Sequence, residues 1–188
     1  VKTPKVVRRE QTYTHEWTLG LFPAYQGARV TLKEGVKFAQ SDFSFRSKAL
    51  RNVEAKRVIG ELAARRVADG ELIFVDSGTT CFEMSHHLKR RRGLHVIVNS
   101  ARLAVELGGN SESSVILIGG HYRPERMDSV GPLATATMEQ LRGYLAFIGA
   151  DGLSRDFGVS ASDIESAHLY RQAIRNARET VLLVDHTK

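Results

Sequence analysis

Five short apolar runs separated by helical patterns constrain the fold of this chain more strongly than any other feature. The runs lie at residues 72–75, 95–98, 115–118, 144–148 and 181–184. The helical patterns lie between them, at residues 82–88, 101–107, 132–141 and 163–178. Strands that are apolar without interruption are typical of a parallel sheet covered on both faces. We therefore predict an α/β fold with a mainly parallel sheet and helices on both faces.

The residues that follow the five runs are small or polar. Right-handed crossovers bring the carboxyl ends of parallel strands to one edge of the sheet, where ligands bind in open α/β folds. Small residues allow close approach of the backbone, hydroxyls and amides can hydrogen-bond a ligand, and helix N-termini favour anions. The strand ends therefore predict a pocket for a small polar anion such as a phosphorylated sugar.

The segment Asp76-Ser77-Gly78-Thr79-Thr80 is the most informative of these strand ends. Its glycine would let the backbone approach a phosphate, and its hydroxyls would stand at a helix N-terminus that favours anions. Asp76 is negative, so we expect it to accept hydrogen bonds from sugar hydroxyls and not to face the phosphate. The alternative is that Thr79 or Thr80 only caps the helix.

The basic residues are concentrated in the first third of the chain. Residues 1–70 hold 14 of the 27 Lys and Arg but only 7 of the 21 Asp and Glu, whereas residues 71–188 hold 13 and 14. A basic segment next to a nearly neutral body suggests a polyanionic partner, usually nucleic acid. A solvated linker would have the same composition, and the charge alone does not separate the two.

Composition disfavours several other classes of protein. No apolar run approaches the ~20 residues of a membrane span, and we expect neither a membrane segment nor a signal peptide. The single cysteine, Cys81, fits a reducing, cytoplasmic environment, and we expect it to be a buried packing residue. The seven histidines show no metal-ligand spacing, so we expect no metal and no other cofactor.

Taken in order, the polar segments resemble the effector-sensing domain of DeoR-family bacterial transcriptional regulators. The segments that carry the resemblance are DSGTT (76–80), NS (99–100), GG (119–120), VGP (130–132), FIGADG (147–152) and DHTK (185–188). Residues 1–10 look like the start of the recognition helix of a winged helix-turn-helix, and residues 26–28 resemble the end of its wing.

The resemblance implies three regions. They are a partial winged helix-turn-helix DNA-binding region at 1–28, a linker at 29–52 and an effector-sensing α/β domain at 53–188. The sensing domain would share the fold of ribose-5-phosphate isomerase, and the family pattern continues beyond Lys188.

The function that the resemblance implies is that of a repressor of carbohydrate metabolism, whose operator binding is loosened by a phosphorylated sugar. The implied partners are double-stranded operator DNA, the sugar effector and further copies of the chain, as a dimer or tetramer. The implied effector-binding residues are Asp76, Ser77, Gly78, Thr79, Thr80, Asn99, Gly149, Ala150, Asp151, Gly152, Arg171 and Lys188. The implied DNA-binding residues are Lys2, Thr3, Lys5, Arg8 and Arg9.

Two alternatives remain open: a sugar-phosphate isomerase-like enzyme, and a sensor that no longer binds DNA. An isomerase needs a general base, for which Glu83, Asp151 and Glu165 are candidates. The family usually has Lys-Arg where this chain has Tyr170-Arg171, so a candidate ammonium is missing, and we do not expect an enzyme.

One amphipathic helix is predicted outside this alternating pattern, over residues 53–67. Its apolar stripe consists of Val58, Ile59, Leu62, Ala63 and Val67. We expect this stripe to pack on the sheet, the alternative being a contact between copies of the chain.

Overall fold

The computed structural model describes residues 12–17, 28–33, 45–109 and 112–188. Strand β1 (Thr12–Trp17) pairs antiparallel with strand β2 (Ala28–Lys33), with Thr12 opposite Lys33. Strand β2 begins at the end of the predicted DNA-binding region, and its other five residues fall within the segment 29–52 that was predicted to be a linker. The predicted recognition helix, with its five candidate DNA-binding residues, lies outside the described residues.

The centre of the fold is a parallel sheet of five strands in the order β11-β8-β3-β4-β5. In chain order its strands are β3 (Leu72–Val75), β4 (His95–Val98), β5 (Ser114–Leu117), β8 (Leu145–Gly149) and β11 (Glu179–Leu183). All five lie within two residues of the predicted apolar runs. The mainly parallel α/β fold predicted from the sequence is confirmed.

Seven helices accompany the described strands. They are α1 (Phe45–Ala49), α2 (Val53–Arg65), α3 (Thr79–Phe82), α4 (Ser85–Leu88), α5 (Ala101–Gly108), α6 (Pro132–Gln140) and α7 (Ile164–Asn176). The single helix predicted at 82–88 is wrong: the segment forms two one-turn helices, α3 and α4. Among the described helices, none is long and apolar enough to cross a bilayer.

Two small antiparallel pairs lie outside the central sheet and were not predicted. Strand β6 (His121–Arg123) pairs with β7 (Asp128–Val130), and β9 (Gly152–Ser154) pairs with β10 (Gly158–Ser160). Each strand has three residues, which is too short for an alternating pattern to show in the sequence.

Helices cover both faces of the central sheet. Ile73 and Val75 of β3 belong to one buried cluster, which includes residues of α2, α4 and α5. Phe74, between them, belongs to a second cluster, which includes residues of α6 and α7. Because successive side chains of a strand point to opposite faces, a two-sided core requires the uninterrupted apolar runs seen in the sequence.

Helix α2 packs only part of its predicted apolar stripe on the sheet domain. Val58 and Leu62 are 56% and 55% exposed, so the predicted packing is wrong for both. Ile59 packs against the core, and Ala63 and Val67 are buried, as predicted. Ala64 is buried as well. A Cβ added at Gly60 would lie 2.6 Å from a carbon of the α3–α4 connection, so only small residues fit this close contact.

Helix α1 packs on the sheet domain although it lies in the segment predicted to be a linker. The Phe45 ring meets Phe82 edge-on, with 5.4 Å between the centroids. Lys48 forms an ion pair with Asp151, with Nζ 2.6 Å from Oδ1. The segment 29–52 therefore contains a strand and a helix, and the helix is attached to the sheet domain.

Candidate ligand-binding site

The site begins at Asp76, which follows β3 directly. Its buried carboxylate accepts a hydrogen bond at Oδ2 from the backbone N–H of Gly149 at the end of β8, over 3.1 Å. A Cβ added at Gly149 would lie 3.2 Å from this oxygen, so the close approach favours glycine. Asp76 thus joins the ends of two neighbouring strands. Its oxygens face protein donors. They do not face the solvent, from which a sugar hydroxyl would approach.

Tyr170 of α7 is a further partner of Asp76. Its buried phenol interacts with the Asp76 carboxylate. Burial raises the pKa of Asp76, and the interactions with Tyr170 and the Gly149 N–H oppose that rise in part. Burial and the neighbouring carboxylate also raise the pKa of Tyr170 well above its usual value. The tyrosine therefore supplies a neutral donor at the position where the family resemblance led us to look for an ammonium.

The segment after Asp76 carries two hydroxyls, those of Thr79 and Thr80, that have no partner among the described residues. Gly78 is the N-cap of α3, and no side chain caps this helix, so the alternative that Thr79 or Thr80 serves as its cap is wrong. Both threonines lie in the first turn of α3, and their hydroxyls make no hydrogen bond to a described residue. Because α3 has a single turn, it aligns few peptide dipoles, and its field is weaker than that of the longer helix predicted.

Ser77 leads to a charge cluster that the sequence analysis missed. Its Oγ donates to Oδ2 of Asp128, over 3.0 Å, and Asp128 is fully buried. Arg123 donates to both Asp128 oxygens from Nε and Nη2, each over 2.8 Å. Arg126 places Nε 3.3 Å from Oδ2 of Asp128. The planar, two-point contact between Arg123 and Asp128 is the strongest geometry for a guanidinium and a carboxylate.

Asp163 completes the cluster from the start of α7. It lies 3.0 Å from Nη1 of Arg123 and 2.8 Å from Nη1 of Arg126. It also caps α7, since Oδ1 accepts from the backbone N–H of Ser166 over 2.8 Å. Burial would raise the pKa of Asp163, but the Ser166 hydrogen bonds and the two guanidiniums lower it overall. An aspartate before a helix is a recognisable cap signal, but nothing in the sequence pairs it with residues 123–128.

Asn99 follows β4 and is fully buried. Its amide Nδ2 donates to the backbone carbonyl of Ser129, over 3.3 Å. Its Oδ1 is buried and has no hydrogen-bond partner among the described residues. Val98 and Val75 are opposite each other in β4 and β3, so Asn99 lies beside the start of the 76–80 segment. The structure therefore places a buried acceptor beside the start of the segment that carries the two threonine hydroxyls.

The turn after β8 contains Ala150 and Asp151. Oδ2 of Asp151 accepts from the backbone N–H of Ser162 over 2.8 Å, and Oδ1 carries the ion pair with Lys48. Burial raises the pKa of this carboxyl, but Lys48 and Ser162 lower it overall to about 2. Gly152 begins β9 and accepts a hydrogen bond from the Ser160 hydroxyl over 3.2 Å.

The segment after β11 folds back on Asp185. Oδ1 of this residue accepts from the backbone N–H of Thr187, over 2.8 Å, and from Nδ2 of Asn52, over 3.2 Å. The backbone N–H of Lys188 donates to the Asp185 carbonyl over 3.3 Å. Arg171 makes no hydrogen bond or ion pair with these groups in the described part of the chain, and its Nε is buried without a partner.

The other candidate residues are explained by packing or lie apart from one another. Cys81 is fully buried, as predicted, and burial raises the pKa of its thiol well above the usual value. Glu83 contacts α2 at Gly60, whereas Glu165 lies 3.8 Å from Nδ1 of His121. Together with the ion-paired Asp151, the three candidate bases occupy three different surroundings. The described residues hold no cluster of three or more His, Cys, Asp or Glu arranged for a metal.

Known proteins resemble this chain over the sheet domain. Residues 51–188 match the family described as the DeoR C-terminal sensor domain. The HTH-type transcriptional regulator GolR from Listeria innocua is 30% identical over 169 residues, 90% of this chain and 65% of that protein. The HTH-type transcriptional regulator GlpR from Haloferax volcanii is 30% identical over 145 residues, 77% of this chain and 56% of that protein.

A third relative is the lactose phosphotransferase system repressor from Lactococcus lactis, 32% identical over 139 residues, 73% of this chain and 54% of that protein. The chain thus spans between about half and two thirds of the length of these relatives. A solved structure, ribose 5-phosphate isomerase A from Neisseria gonorrhoeae, aligns with a TM-score of 0.49 at 15% identity, over 72% of this chain and 52% of that one.

Proposed function

The chain belongs to the DeoR family, and from that premise we propose that it is a repressor of carbohydrate metabolism controlled by a phosphorylated sugar. The sugar would bind at the carboxyl edge of the central sheet and weaken the hold of the N-terminal segment on operator DNA. The relatives named above are transcriptional regulators or repressors, and one of them is named for a sugar phosphotransferase system.

The observation that carries the ligand proposal is the unpartnered Oδ1 of Asn99. A buried acceptor without a donor costs about 1–3 kcal/mol, so a ligand that supplies a hydroxyl there would recover that free energy. Thr79 and Thr80 lie in the first turn of α3, which follows the neighbouring strand β3, and their hydroxyls can donate or accept. Several hydroxyls on one small molecule match this set of groups, which is the chemistry of a sugar.

The phosphate would lie at residues 77–80. The first backbone N–H groups of a helix have no partner within it, and Gly78 admits a close approach because it carries no side chain. Asp76 would act as a positioning residue that fixes this segment against β8, since its own oxygens are held by protein donors. The turn at Gly149, Ala150, Asp151 and Gly152, with Arg171 and Lys188, would close the other side of the ligand.

The DNA-binding part of the proposal rests on charge and on the relatives. Residues 1–10 contain four of the Lys and Arg residues of the chain against one acidic residue. The protein would bind operator DNA in the cytoplasm as a homo-oligomer. The residues in contact with the DNA would be Lys2, Thr3, Lys5, Arg8 and Arg9. In the full-length protein, an Arg8→Ala/Arg9→Ala double variant should lose affinity and show a smaller salt dependence. Unchanged operator affinity would contradict this assignment.

The test of the ligand proposal is a thermal-shift screen followed by calorimetry. Ribose 5-phosphate, glucose 6-phosphate, fructose 6-phosphate and inorganic phosphate serve as probes. A ligand at about 100 times its Kd stabilises the folded protein by about 2.7 kcal/mol, which raises Tm measurably. Thr80→Val, which removes the hydroxyl and keeps the shape, should weaken binding by about tenfold, the value of one good hydrogen bond.

Thr137→Val is the matched control, because the Thr137 hydroxyl lies on α6 and donates to the Leu133 carbonyl of the same helix. It should bind the active probe as tightly as the wild type does. If Thr80→Val also binds with unchanged affinity, the ligand lies elsewhere and the assigned pocket is wrong.

A further inference from the structure

Helix α1 lies against the same edge of the sheet as the candidate ligand site. The Phe45 ring packs on Phe82 of α3, which follows β3. The Arg102 guanidinium of α5, which follows β4, lies over the Phe45 ring, 4.1 Å from its centroid. A cation over the face of an aromatic ring is attracted to it electrostatically. One aromatic side chain of α1 therefore bridges the connections that follow two central strands.

Lys48 attaches α1 to the connection that follows β8. Its Nζ lies 2.6 Å from Oδ1 of Asp151, and the two side chains are 24% and 29% exposed. The second oxygen of Asp151 is fixed by the Ser162 backbone N–H. A carboxylate held in one orientation offers a defined partner to the ammonium, so this is a partly buried ion pair with one geometry.

Asn52 attaches the end of the same segment to the connection that follows β11. Its Nδ2 donates to Oδ1 of Asp185 over 3.2 Å and to Oγ1 of Thr187 over 3.1 Å. Asn52 has a positive φ of 52°, a left-handed conformation that asparagine tolerates better than most residues and that turns the chain from α1 into α2. Residues 45–52 thus touch the connections that follow four of the five strands.

We propose that Lys48 is a ligand-sensing residue, carried by α1, that leaves Asp151 for the phosphate of a bound sugar phosphate and so loosens α1 from the sheet edge. This rests on the proposed function. A phosphate carries up to two negative charges and three acceptor oxygens, so it outcompetes a single carboxylate for an ammonium within reach. Sugar hydroxyls donate to the Asp151 oxygen that Lys48 leaves, which keeps that carboxylate satisfied.

The consequence of this exchange reaches the N-terminal segment through the chain itself. Residues 45–52 lie in the chain between the β1–β2 pair and the first strand of the central sheet. Among the contacts described above, the Phe45 and Asn52 side chains are uncharged, whereas Lys48 is the cation of an ion pair. A phosphate therefore competes directly with Asp151 for Lys48. In this way Lys48 couples ligand binding to the segment that precedes the sensor domain.

The first arm of the test needs no ligand. Hydrogen exchange of the backbone amides of residues 45–52 is measured by mass spectrometry in the wild type, Lys48→Met, Asp151→Asn and the double variant. Each single variant should speed exchange several-fold, and the double variant should add nothing further, because the same contact has already been lost. Lys89→Met is the control, since it removes an exposed ion pair with Glu106 and should leave this segment unchanged. Additive effects of the two single variants would overturn the attachment.

The second arm uses the four probes named above. A probe that raises the Tm of the wild type should also speed exchange of residues 45–52 and bind Lys48→Met about tenfold more weakly, the loss of one charged hydrogen bond. Slower or unchanged exchange, or equal affinity of Lys48→Met, would overturn the sensing role. If no probe raises the Tm of the wild type, the proposed function fails and the sensing role with it, whereas the first arm still decides whether Lys48 attaches α1.

Discussion

The contribution of the charge cluster around Asp128 to the stability of the fold can be tested with a single substitution. Asp128 is fully buried and lies between the guanidiniums of Arg123 and Arg126. Those two side chains are themselves only 12% and 17% exposed. Asp128→Asn keeps the shape of the side chain and removes its charge. The two guanidiniums would then share Asp163 alone, and one positive charge would be left buried without a partner.

The expected cost follows from this imbalance. Removing one partner of a buried ion pair costs about 3–5 kcal/mol, because the remaining charge keeps its desolvation penalty. The Asn amide adds to the cost, since its Nδ2 is a donor facing donors. Proteins of this size unfold with a total of about 5–15 kcal/mol, so the variant should lose about a fifth of its stability or more.

Urea unfolding followed by circular dichroism measures this loss. With a slope of about 2 kcal/mol per molar urea, the midpoint should fall by roughly 1.5–2.5 M. Glu54→Gln is the matched control, since it removes a carboxylate paired with Arg57 in which the two side chains are 83% and 62% exposed. Such a surface pair contributes about 0–1 kcal/mol, so the control midpoint should shift by less than about 0.5 M. A midpoint of Asp128→Asn within the range of the control would refute the reasoning.

Three further predictions follow from individual contacts. Gly60→Ala should destabilise the protein by about 1–3 kcal/mol, because its Cβ would lie 2.6 Å from a neighbouring carbon. Gly108→Ala has open space around it and should stabilise α5 by up to about 1 kcal/mol. Thermal unfolding of both variants measures the two effects. Burial raises the pKa of Asp151, but Lys48 lowers it overall to about 2 from 3.8. The stability that this carboxylate contributes above pH 3.8 should therefore be lost as the pH falls to about 2, and an acid titration of Asp151→Asn should lack that loss. Cys81 is buried, so a thiol reagent should modify it only as fast as the protein opens, and rapid modification of the native protein would contradict its placement.

The sheet was predictable because its strands are buried on both faces. Burial on both sides leaves no polar position in runs such as Leu72–Val75 and His95–Val98, and both strands begin and end where the sequence indicated. The position of the carboxyl ends at one edge of the sheet was also predictable, because the direction of parallel strands determines which loops share an edge. Asp76 and Gly149 do meet there, although the sequence could not show that the carboxylate is occupied by protein donors.

The rest of the site depends on distances in space that no local pattern encodes. Arg123 and Asp128 are close in the chain. Asp163 comes later, after α6 and β8, and only the tertiary fold brings it into contact with them. The orientation of α2 was predicted only in part, because an amphipathic stripe identifies an apolar face but not the space available to each side chain. At Gly60 the neighbouring chain is so close that the small residues turn inward, and Val58 remains exposed.

The order of the central sheet has a consequence for how the chain folds as it is synthesised. Strand β3 is central, and β4 and β5 pair on one side of it soon after they leave the ribosome. Its partner on the other side, β8, begins about 70 residues later in the chain. At about 5–20 residues per second, translation leaves the second edge of β3 without its partner for roughly 4–14 s. During that interval an apolar edge, Ile73-Phe74-Val75, is open to pairing with other chains. A nascent-chain chaperone that covers this edge should therefore raise the soluble yield of the protein more than one that acts after release.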